Sequence, residues 1–209
     1  MTRKMLLHWS PRSPFVRKVM IVAHEVGVAD QIETVRTVVA ASEPNTELMK
    51  ENPQSRLPTL RLGDGTVIYD SPVICEYFDT LNKGEKLFPS AWPERLVALR
   101  QQSLGDGMLD SLLLWRGEVS RPPAQQSIKH MQAWRLKTNL SVDMLEGEVD
   151  TLAKSRFTIG HVALGVALGY IDFRFPELEW RNGHPKLAAW HKAFEARPSA
   201  KANPAVDEP

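Results

Sequence analysis

Serine at the mouth of a helix is the first chemistry this sequence offers. Ser13-Pro14 and Ser71-Pro72 each pair a hydroxyl suited to the N-cap with a proline suited to the first helical position. A helix start presents unpaired N–H groups and the positive end of the peptide dipoles, so it attracts an anion. Ser10 stands just before Ser13 and competes with it. Plain capping, worth about 1 kcal/mol, is the alternative meaning of each serine. A further feature is made of backbone. Leu57-Pro58 precedes a short stretch of β-branched residues and leucines, and a proline that cannot donate to a ladder belongs at the strand entrance or in a special turn. A cis bond there would turn the Leu57 N–H and C=O outward, free to pair with an extended ligand as an added strand would.

The elements that must position these groups follow from local signals. Met5–Trp9 reads as a short apolar strand, which Ser-Pro-Arg-Ser-Pro cannot continue. Phe15, Val19, Val22 and Val26 then recur as one helix face. Residues 32–38 alternate as a second strand, and 45–51 form a short helix ended by Asn52-Pro53. Residues 57–62 and 66–69 flank Gly63-Asp64-Gly65, a hairpin signal. Residues 71–81 close the unit as a helix with Val73, Ile74, Tyr77, Phe78 and Leu81 inward. The expected order is βαβαββα over residues 1–82, a small mixed sheet with helices on both faces.

A polar linker, 83–92, leads to a second domain, 93–199, that reads as an all-α bundle. Its helices span 93–117, 125–152, a nearly all-apolar segment after Thr158, and 185–194. Gly105 and Gly107 weaken the first by about 1 kcal/mol each relative to alanine, which a close backbone approach or a kink would explain. Residues 200–209 are expected to form a mobile tail.

Composition narrows the function classes. In 209 residues, 26 Lys and Arg nearly balance 25 Asp and Glu, so no global field recruits nucleic acid or an anionic membrane. A small organic ligand fits better. No apolar run approaches the roughly 18 residues that cross a bilayer, and the first residues hold too short an apolar core for a signal peptide. The cytoplasm is the expected compartment. Cys75 is the one cysteine; it reads as core filler, with a redox role as the alternative.

The run Asn52, Pro53, Arg56, Leu57, Pro58, then Asp70 and Ser71, resembles the thioredoxin-like half of the glutathione transferases. Their pattern is Asn-Pro-x-Gly-Lys-Val-Pro followed by Glu-Ser or Asp-Ser. Arg56 replaces the usual lysine or glutamine and Leu57 the usual valine. Ser13-Pro14-Phe15 occupies the place of Cys-Pro-Phe in omega-type members and so resembles the serine-type enzymes, while residues 104–110 and 121–127 resemble a bacterial group of the family. The resemblance implies an α/β thioredoxin-like N-terminal domain, an all-α C-terminal domain, and a homodimer. It also implies glutathione as co-substrate, with no metal, conjugated to small hydrophobic electrophiles in detoxification. Isomerisation, dehalogenation, or a non-catalytic binding scaffold remain alternatives.

It implies roles as well. Ser13 would donate to the glutathione thiolate. A free thiol titrates near 8.5, so ionising it at neutral pH takes about 2.7 kcal/mol. A charge-assisted hydrogen bond contributes about 1.5–3 kcal/mol and a helix start about 0.3–1. Asp70 and Ser71 would meet the γ-glutamyl group, Arg56 the glycine carboxylate, and Leu57 beside Pro58 the cysteinyl backbone. Asp106 would reach a partner subunit's γ-glutamyl ammonium, or is simply solvated. Ser10, Trp115, Arg116 and Tyr170 would line the electrophile pocket, the two aromatics having core packing as their alternative. Members usually carry aspartate where His161 stands, and a histidine is expected to imitate that cap poorly.

Overall fold

A strand entering a proline-studded turn and leaving it as a helix sets the pattern of the first unit. The computed structural model describes residues 4–40 and 42–207 and divides the chain into two compact units. The chain up to Phe88, together with that from Pro198, forms one; Pro89–Arg197 forms the other. In the first, β1 (Met5–Trp9) leads to α1 (Pro14–Glu25), β2 (Ile32–Arg36), β3 (Thr59–Arg61), β4 (Val67–Ile68) and α2 (Ser71–Leu81). The sheet order is β2-β1-β3-β4. β1 runs parallel to β2 and antiparallel to β3, with Leu7 opposite both Thr34 and Leu60. Leu7 and Leu60 are fully buried, as are Val16, Val19, Ile21 and Val22 of α1 and Ile74, Cys75 and Phe78 of α2.

Several expectations need correction. The helix expected over 45–51 is only a 3-10 turn, Leu48–Lys50, since Asn45 closes onto Leu48 N with its own side chain (3.0 Å) and the asparagine–proline pair follows. The N-cap of α2 is Asp70, and Ser71 already lies within the helix. Val73, 49% exposed, and Leu81 do not face the core of this unit; Ile74, Cys75 and Phe78 do. At the segment expected as a tail, α7 (Pro198–Lys201) packs on α1 and Ala200 is buried. The Leu57–Pro58 and Tyr69–Asp70 peptides are cis.

The second unit contains α3 (Glu94–Val119), α4 (Ile128–Lys154), α5 (Ile159–Arg174) and α6 (Pro185–Glu195). α5 is buried on nearly all sides. Gly105 permits the close approach of α3 to α5, because a Cβ there would lie 2.6 Å from the Ala163 carbonyl carbon. The start of α5 corrects another expectation. Thr158 and His161 form a complete capping box. His161 Nδ1 accepts the Thr158 N–H (3.2 Å) and Nε2 lies 3.0 Å from the Leu152 carbonyl. That pairing requires the neutral tautomer with its proton on Nε2, and burial accordingly pushes the imidazole below its ordinary value. No described helix is long and apolar enough to cross a membrane.

Candidate functional site

The site is assembled at the N-terminal end of α1. After Trp9 the chain turns at Ser10 and Pro11, and the Ser13 N–H closes the turn on the Ser10 carbonyl (3.2 Å). Ser13 keeps extended backbone angles as the N-cap, with Pro14 opening the helix, and its Oγ accepts the Val16 N–H at 3.3 Å. One lone pair of the hydroxyl is thereby committed to the helix, and the proton is left to donate outward. Accepting from a backbone N–H also polarises the O–H toward a stronger donor. Ser10 lies on the same turn, half-buried; of the two, Ser13 is the one tied to the helix end.

Leu57 is brought to this helix by packing. Val16, one turn into α1, shares a buried cluster with Leu48 and Leu57, and Trp9, Met20 and Val39 close over it. The loop that presents Leu57 is organised by Asn52, a residue the sequence reading used only as part of a motif. Its side-chain amide donates to the Thr59 hydroxyl (2.9 Å) and lies 3.3 Å from the Arg56 carbonyl, while its oxygen accepts the Gln54 N–H. The Thr59 hydroxyl then donates to the Arg56 carbonyl (2.8 Å). Ser55 has φ +49°, a left-handed conformation that favours glycine. It stands where the resembled pattern has glycine, a signal in the sequence that goes unread unless the pattern is compared position by position. The Ser55 hydroxyl offsets part of the strain by accepting the Asn45 N–H (2.8 Å).

The remaining expected residues of this unit lie as follows. Pro58 is buried beside Leu57, Arg56 and Asp70 are exposed, and Ser71 is buried at the start of α2. The Asp70 carbonyl accepts the Ile74 N–H (3.0 Å), beginning that helix. A cation, a carboxylate and a helix start are thus available to a zwitterionic ligand. In the helical unit, Asp106 is half-buried on α3. Trp115 is buried with its ring 4.6 Å from that of Phe175, and Tyr170 is buried with its ring 6.2 Å from that of Phe173. Arg116 donates to the Ser120 hydroxyl (2.6 Å). Packing in the helical core is therefore what the structure gives the two aromatics. Among the described residues no group of three or more His, Cys, Asp or Glu side chains could hold a metal ion.

A four-stranded mixed sheet flanked by helices, followed by an all-helical unit, is a thioredoxin-like domain joined to a helical domain. Comparison with known proteins narrows this. The model for the glutathione S-transferase N-terminal domain matches residues 12–81 and that for the C-terminal domain matches 130–193. The GST-like protein YibF of Escherichia coli (strain K12) is 32% identical over 185 residues, 88% of this chain and 90% of that one. Glutathione S-transferase 2 of Saccharomyces cerevisiae is 30% identical over 212 residues, 96% of this chain and 90% of that one. A glutathione transferase family member from Pseudomonas fluorescens Pf-5, solved with bound glutathione, is 36% identical with a TM-score of 0.94, covering 97% of this chain and 100% of that one. The chain belongs to the glutathione S-transferase family.

Proposed function

We propose that the protein is a glutathione transferase in which the Ser13 hydroxyl stabilises the glutathione thiolate. The observation that carries this reading is the Ser13 cap, whose Oγ accepts the Val16 N–H and so has its own proton to give. Glutathione lies along the Leu57 backbone. Its γ-glutamyl end meets Asp70, Ser71 and the start of α2, its glycine carboxylate meets Arg56, and Asp106 of a partner subunit completes the first of these. The thiol loses its proton to solvent. The sulfur then attacks an electrophilic carbon, forming the C–S bond as the carbon–leaving-group bond breaks and the leaving group departs with its electron pair. Ser13 is a donor throughout and needs no histidine partner. Support comes from the P. fluorescens relative, solved once with bound glutathione and once with bound S-(propanoic acid)-glutathione, a sulfur-substituted form of the tripeptide. The working form is a homodimer, a reading favoured by exposed Tyr69, Val73 and Leu81 on the first unit.

Ser13→Ala tests this directly. Turnover of a reactive aryl halide should fall by about one to two orders of magnitude, the scale of one lost charge-assisted hydrogen bond. Glutathione affinity from calorimetry should change little. Wild-type protein that binds glutathione but transfers its sulfur to no electrophile would leave a binding scaffold in place of an enzyme.

A further inference from the structure

Residues 198–207 run back along α1 toward Ser13 and are tied to it in order. At the root, the Ser199 hydroxyl donates to the Glu25 carboxylate at the far end of the helix. In the middle, Arg17, only 8% exposed, donates from Nε to the Asn203 carbonyl (2.8 Å), and Asn203 in turn donates to the Ser199 carbonyl (2.8 Å). At the tip, Arg12 Nε lies 3.1 Å from Asp207 Oδ1, with the side chains 46% and 58% exposed. The strap is therefore held by a buried cation at its middle and by a solvent-screened ion pair at its tip.

Between strap and helix lies a cavity of about 150 Å³. Trp9, Met20, Pro204 and Val206 give it apolar walls, and Ser10, Ser13, Arg17 and Asn203 add polar groups to the lining. A volume near this size is about that needed for one benzene ring, and the apolar walls would take the ring while the polar groups face the sulfur end and the solvent opening. The geometry points to the C-terminal strap as a wall of the electrophile site that admits a single six-membered ring or a short alkyl chain beside the sulfur and excludes fused rings. Val206 and Pro204 set the size limit, and Arg12 with Asp207 fastens the wall where it meets the Ser13 turn. The inference rests on the placement of the glutathione sulfur at Ser13 and adds the class of electrophile: compact and apolar at the reacting end.

The test uses binding, so that it does not depend on turnover. The probes are glutathione, S-benzylglutathione and S-(1-naphthylmethyl)glutathione, titrated by calorimetry into the full chain, into a chain ending at Lys201, and into Val206→Trp. The full chain should prefer the benzyl to the naphthylmethyl conjugate by about tenfold or more, the scale on which pocket size discriminates. Ending the chain at Lys201 should bring that ratio to within about threefold with glutathione affinity retained, and Val206→Trp, should the shortened chain not fold, should weaken the benzyl conjugate by about tenfold. A benzyl preference that is absent from the full chain, or unchanged in both variants, overturns the wall and leaves the transferase reading intact. So does an equal loss for glutathione and both conjugates, which would assign the strap to the tripeptide itself. A full chain that binds no glutathione overturns the transferase reading, and this inference with it.

Discussion

At the start of α1 a cap hydroxyl, Ser13 Oγ, accepts one helix N–H and lies half-buried at the edge of a cavity. At the start of α5, Thr158 and His161 satisfy each other inside the helical unit, with the imidazole also 3.0 Å from the Leu152 carbonyl. Both are N-caps. In α5 the donors and acceptors are closed on one another, so the whole of the cap goes into stability. In α1 a single acceptor site is used, and the residue lines a space that a ligand can enter. Chemistry at a helix start thus depends less on the capping residue than on what the cap leaves unspent.

Variants that break each cap should separate stability from activity. The largest stability effect is expected from His161→Leu, which leaves the buried Thr158 N–H without its partner, at about 1–3 kcal/mol, while the Leu152 carbonyl keeps its bonds from Ser155. Urea unfolding should show a midpoint shift to match, with activity per folded molecule retained. Thr158→Ala and Ser13→Ala should each cost about 1 kcal/mol of stability, yet Ser13→Ala alone should impair turnover. Equal turnover losses in the two would end the contrast.

Acid should act on the closed cap. Burial, its largest influence, holds His161 below its ordinary value, with the nearby Arg197 charge adding to the effect and the Leu152 carbonyl opposing it. The unfolded chain therefore takes up this proton first as pH falls. The cap's contribution is complete above about pH 6.5, the ordinary histidine value, and is lost as pH falls through the lower folded-state value. Urea midpoints measured from pH 7.5 downward should show that loss in wild type and lose its histidine component in His161→Leu. Identical profiles would show that the imidazole is already matched in the two states.

How much of this was legible in the sequence depends on whether the signal was local. The strand, turn and helix around Ser13 are written in consecutive residues, since proline and a cap hydroxyl act within one turn, and Gly63-Asp64-Gly65 likewise announces its hairpin. Gly105 announced a close approach but not its partner, Ala163, which comes from another helix. Asn52 acts through three side-chain hydrogen bonds, with Gln54, Arg56 and Thr59, only once the loop is folded, so its motif could be seen but not its work. Val73 and Leu81 satisfy helical spacing yet point away from the core, because periodicity identifies an apolar face without saying what covers it. The strap was unreadable for the same reason: Asn203 and Asp207 become meaningful only against Arg17 and Arg12.

The central claim is that the hydroxyl before Pro14 holds an ionised sulfur, and titration of the bound glutathione thiol, followed by the ultraviolet absorbance of the thiolate, tests it most directly. In wild type the bound thiol should ionise about two units below the free value near 8.5, and in Ser13→Ala it should return most of the way toward that value. A bound thiol that titrates at the free value in wild type, or one that stays depressed in Ser13→Ala, would contradict the account.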